Sequence, residues 1–123
     1  MPITVDTDDN IILMTFTDEW GWSDVYDAVD ITLDIAARVR HELYLVIDLR
    51  RNSFMPPTGM IDNFRQVAGI LDNQGNIVAT AVVLGRSQLR TLITTALDRY
   101  GSSKRPYYYV DTMDDAYNLA RGS

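Results

Sequence analysis

The sequence predicts a single α/β domain with a mixed, mostly parallel sheet, in the order β-β-α-β-α-β-α-β-α with about four helices as cover. Three observations carry this reading. Two short β-prone runs open the chain around a polar turn, the pattern of an N-terminal hairpin. Beyond them, short apolar runs rich in β-formers alternate with stretches whose apolar residues recur every three or four positions. The chain has 123 residues and is 46% hydrophobic, enough for one continuous core over 1–123 without metals or disulfides. No repeat, low-complexity tract or linker divides it.

Each element has its own warrant. Ile3 to Val5 and Ile11 to Phe16 are the hairpin strands, and the Asp and Asn residues of DTDDN between them favour a turn. Ser23 is the expected cap of the first helix, which runs to near Arg40. Val25, Val29, Leu33 and Ala36 share its inner face, and Asp24, Asp27, Asp30 and Asp34 share its outer one. Arg38, four residues after Asp34, completes a helical ion pair. LYLVIDL at 43 to 49 reads as a strand covered on both faces. Met60, Ile61, Phe64, Val67, Ala68 and Leu71 then mark a second amphipathic helix, ending near Gly75. IVATAVVLG at 77 to 85 is another buried strand. A third helix opens at Ser87, turns Leu89, Leu92, Ile93, Ala96, Leu97 and Tyr100 inward, and closes at Gly101. YYYV at 107 to 110 is a last strand whose three tyrosines must divide between two faces. Thr112 and Asp115 form a near capping box for a final helix through Ala116, Tyr117 and Ala120.

Composition narrows the function classes. The net charge of -6 is uneven: residues 1 to 34 hold nine Asp or Glu and no Lys or Arg. That balance argues against nucleic-acid binding, which needs a basic face able to displace counterions. No stretch approaches the ~18 uninterrupted apolar residues of a membrane span, and the start lacks the basic and apolar regions of a secretory signal. With no cysteine, the expectation is a cytoplasmic protein without disulfides or thiolate metal sites.

Catalytic patterns are absent from the sequence. It has one histidine, no Gly-rich phosphate loop and no nucleophile elbow, so the chain reads as a non-enzyme requiring no cofactor or metal. Asp6, Asp8 and Asn10 have calcium-loop spacing, but Ile11 stands where the loop needs Gly and Thr17 where it needs Glu. His41 follows a helix end and reads as solvated. Asp48, which ends an apolar strand, is the best lone candidate for carboxylate chemistry, but its expected role is a carboxylate satisfied by backbone N–H groups of the next loop. Trp20 and Trp22 flank Gly21, where they either seal one end of the core or anchor a partner, sealing being the expected role.

The stretch FMPPTGMIDNF, from Phe54, carries more. Pro57 disfavours helix before it, so Thr58 is the expected N-cap of the second helix, its hydroxyl at an end that accepts anions. In an open parallel sheet the loops leaving the strands gather on one edge, which would bring Arg50, Arg51, Arg86 and Arg90 beside it. Two readings follow: a threonine cap beside scattered surface arginines, or a site for a phosphate, whether a ligand's or one attached to Thr58.

The element order over nearly the whole chain, with LYLVIDL followed by FMPPTGM, resembles the STAS domains of anti-sigma factor antagonists, the SpoIIAA-like proteins. FMPPTGM is similar to the F-M-D-S-S-G-L signature of that family, with Pro56 and Pro57 in place of its Asp and first Ser. The resemblance implies a regulatory module that binds an anti-sigma factor or kinase-like regulator, switched by phosphorylation of the residue before the glycine. Thr58 and Gly59 match that pair, and Phe54, Met55 and Met60 match its apolar flanks as partner-binding residues. Two alternatives stand beside it: a module for an anionic or lipidic small molecule at the C-terminal edge of the sheet, and a homodimerising structural domain.

Overall fold

The computed structural model describes residues 2–17, 19–51, 58–85, 106–121 and positions 91, 94, 95 and 98. Its strands are β1 (Ile3–Asp8), β2 (Ile11–Phe16), β3 (Leu43–Asp48), β4 (Ile77–Val83) and β5 (Tyr107–Val110). Its helices are α1 (Trp22–Ala37), α2 (Met60–Asp72) and α3 (Met113–Arg121). The expected helix from Ser87 to Tyr100 lies mostly outside the described residues, although Thr91, Thr94, Thr95 and Asp98 have helical backbone.

The strands form one sheet in the order β1-β2-β3-β4-β5. β1 and β2 are antiparallel, with Asp8 opposite Ile11 and Asp9 at φ +57 in the turn between them. The remaining pairs are parallel. Because side chains alternate along a strand, β2 to β5 each feed two cores, while β1 adds Ile3 and Val5 to one. On one face Ile12, Met14, Phe16, Leu43, Leu45 and Val82 meet Val25, Ala28, Val29 and Ala36 of α1 and Leu71 of α2. On the other, Ile11, Val46, Ala81 and Val83 meet Ala116 and Ala120 of α3. β5 divides as its alternation requires, with Tyr107 and Tyr109 on the first core and Val110 on the second.

The helix ends depart from expectation in instructive ways. Ser23 does not cap α1: the N-cap is Gly21, and the Asp24 carboxylate accepts its N–H at 2.8 Å. A carboxylate at the third helical position satisfies that orphan donor and suits the positive helix end, so no hydroxyl is needed. α1 stops at Ala37, short of Arg40, because Asn76 from the β4 approach donates Nδ2–H to Ala36 O at 2.9 Å. α2 likewise ends at Asp72, before Gly75, its last N–H groups turning to three-residue bonds at Asn73 and Gln74. The α3 cap is as expected, Asp115 N–H donating to Thr112 Oγ1 at 3.1 Å. So is the ion pair of Arg38 with Asp34, at 3.0 Å.

Candidate functional site

Parallel strands that start together also finish together, so β2, β3, β4 and β5 release their chains along one edge. The ladder continues one step past the strands through Leu49 N–H to Val83 O at 2.9 Å and Leu84 N–H to Val110 O at 3.0 Å. At this edge Asp48, 4% exposed, faces the α3 side of the sheet. Its Oδ1 accepts the Arg50 backbone N–H at 3.1 Å, as anticipated for a buried carboxylate at a strand end. It also holds the Arg50 side chain through Nε to Oδ1 and Nη2 to Oδ2, both at 2.9 Å. Burial pushes the Asp48 pKa up, but those hydrogen bonds and the charges of Arg50 and Arg51 outweigh it, and the net shift is downward.

The stem of Arg50 lies across Gly85. A methyl group on Gly85 would come within 3.2 Å of Arg50 Cγ and 3.6 Å of Asp111 O. Gly85 also has φ +55, a left-handed conformation suited to glycine. Arg50 therefore lies across the exits of β3 and β4, and Asp111, just past β5, closes on the same glycine. Among the arginines expected to bind an anion, Arg50 is already in a bidentate pair with Asp48, Arg51 is exposed nearby, and Arg86 and Arg90 lie outside the described residues.

Thr58 is exposed on the same edge, but it does not cap α2. The N-cap is Gly59, at φ +88, with no side-chain cap hydrogen bond. With Gly59 as the N-cap, Thr58 stands one residue outside the helix. The Gly59 carbonyl is held by Asn63, through its backbone N–H at 3.0 Å and its Nδ2–H at 2.9 Å. Phe54 and Met55 lie outside the described residues, as does the Met60 side chain; the Met60 backbone opens α2.

Trp20 and Trp22 play different parts. Trp20 is buried, sealing the core as expected, while Trp22 is half-buried and continues outward. Edge-to-face contacts run from Phe16 to Trp20, Trp22 and Phe64, with centroids 5.3, 5.1 and 5.4 Å apart. The Trp22 indole N–H donates to Thr58 O at 2.9 Å. This link was not foreseen from the sequence. The signal available was a tryptophan at the start of a helix, a side chain whose N–H needs an acceptor once its ring is partly covered.

The opposite edge, where the parallel strands begin, has an open hollow of 460 Å³ bordered by Asp9, Asn10, His41, Glu42, Ala120 and Arg121. His41 is exposed there, its Nδ1 3.1 Å from Glu42 O. Among the described residues no three His, Cys, Asp or Glu gather to hold a metal ion, and no helix is long and apolar enough to cross a membrane.

No protein-family model matches the sequence, and no curated protein matches it. Among solved structures, the crystal structure of an anti-sigma factor antagonist from Mycobacterium paratuberculosis matches with a TM-score of 0.55. The match covers 97% of this chain and 92% of that one, at 18% sequence identity. The fold is SpoIIAA-like. That likeness is one of architecture, and it agrees with the five-stranded mixed sheet described above. In this SpoIIAA-like frame the Thr58–Gly59 pair stands between the end of β3 and the start of α2, beside α1.

Proposed function

We propose that the chain is a non-catalytic regulatory module of the anti-sigma factor antagonist type, acting in the cytoplasm and binding a protein partner through the edge around Thr58 and the start of α2. Thr58 is its control position. The observation that carries this reading is an exposed threonine side chain, absent from the helix cap, on a backbone anchored at Thr58 O by Trp22 and at Gly59 O by Asn63. A residue presented in this way can take a phosphate without dismantling the helix start. The modification would add about -2 charge near the positive end of α2 and spoil any apolar contact made there. The anionic-ligand alternative has less support, because an incoming anion would compete with Asp48 for Arg50.

Affinity capture from the native lysate, with wild-type and Thr58→Glu protein as bait, tests the proposal, together with intact-mass analysis of the native protein. The expected result is a specific partner retained by wild type and weakened at least about tenfold by the glutamate, a loss of roughly 1.4 kcal/mol in binding. Equal capture by both, with no phosphate on Thr58, would refute the control role.

A further inference from the structure

We infer that Trp22 and Tyr26 of α1 are positioning residues for the Thr58–Gly59 segment, so that a change at Thr58 is transmitted to α1. The inference rests on the reading of Thr58 as the control position. Two consecutive carbonyls of the segment are held by side chains. Thr58 O accepts the Trp22 indole N–H at 2.9 Å. Gly59 O accepts Asn63 Nδ2–H at 2.9 Å, and the Tyr26 hydroxyl donates to Asn63 Oδ1 at 2.7 Å, with Gln66 Oε1 3.1 Å away.

Each path ends on one helix. Trp22 and Tyr26 are four residues apart and therefore share a face of α1. From that face one side chain grips the segment directly and the other orients the amide that grips it. The Trp22 ring is itself set by edge contacts to Trp20 on one side and Phe64 of α2 on the other. The anchored α1 ring and the start of α2 thus hold the Thr58–Gly59 segment at two successive carbonyls, Thr58 O from α1 and Gly59 O from α2. Gly59 adds a reason why holding is needed: at φ +88 its conformation is rarely adopted by other residues, and neighbouring bonds must select it from the alternatives open to glycine. Displacing Thr58 O, by a new charge on its own side chain or by a docked partner, removes the indole's acceptor and turns its N–H, at the exposed rim of the ring, to water.

Nuclear magnetic resonance on the full ¹⁵N-labelled chain tests this without any partner. The Trp22 indole signal is identified by its loss in Trp22→Phe, a change that keeps a ring between Trp20 and Phe64. In wild type its proton is expected to exchange with water about tenfold more slowly than that of free indole, the protection one net hydrogen bond supplies. In Trp22→Phe, and separately in Tyr26→Phe, the Asn63 amide is expected to exchange about tenfold faster. In Thr58→Glu the Trp22 indole signal is expected to move more than that of Trp20. A Trp22 indole proton exchanging at the free rate, or an Asn63 amide unchanged in both α1 variants, overturns the inference. Should Trp22→Phe fail to fold, Tyr26→Phe and the Thr58→Glu response decide. A shifted indole with undiminished partner capture by Thr58→Glu refutes the control role and leaves the positioning intact; lost capture with a motionless indole does the reverse.

Discussion

At the scale of single residues, two positions set the geometry of the candidate edge. Gly59 has φ +88, and a Cβ there would stand 3.0 Å from Asn63 Nδ2, the atom that holds its own carbonyl. Gly59→Ala is therefore expected to cost about 1–2 kcal/mol, measured by denaturant unfolding, from left-handed strain with the Asn63 contact disturbed. Asp48 is the second. Its folded pKa lies below the ordinary 3.8, so the unfolded chain takes up the proton more readily. Its contribution to stability is complete above about pH 4 and is lost as pH falls through the lowered folded value. Melting temperature followed into acid should drop over that window in wild type and change less steeply in Asp48→Asn. At neutral pH, Arg50→Met leaves the buried carboxylate without its side-chain partner and is expected to cost about 1–3 kcal/mol.

At the scale of elements, the ends separate local causes from distant ones. Thr112 caps α3 within its own sequence, so Thr112→Ala should remove the acceptor of the Asp115 N–H and cost about 1 kcal/mol, seen as a lower melting temperature with the fold unchanged. That cap was legible because donor and acceptor are three residues apart. The end of α1 was not, because the amide that takes Ala36 O belongs to Asn76, forty residues away. Thr58 misled for a related reason. A threonine before an amphipathic run resembles a cap, but the run is entered through a left-handed Gly59, which takes the cap position itself. Strand boundaries were legible in detail at β2 and β5, where turn residues or a proline flank the β-formers. β1 runs on to Asp8, past the expected Val5, because pairing with β2 recruits polar residues that have no β preference of their own.

At the scale of the whole molecule, stability is concentrated in the central strands, which carry a core on each face. Leu45, 0% exposed in the middle of β3, is expected to cost 2–5 kcal/mol when changed to alanine, through lost burial and the cavity left behind. Tyr108, 40% exposed on the edge strand, should cost far less when truncated, and parallel denaturant titrations of the two variants would expose the contrast. The sequence by itself determined the alternation of strand and helix and the face each apolar residue presents, because periods of two and of 3.6 residues are local consequences of backbone geometry. It also located the edge on which the Thr58 loop emerges, since parallel strands leave their loops together. Tertiary structure alone decided what that edge holds: Arg50 turned onto Asp48, and Thr58 O gripped by an indole thirty-six residues earlier in the chain. Such contacts depend on which loops and helices pack side by side, and the spacing of residues along one segment carries no record of its neighbour.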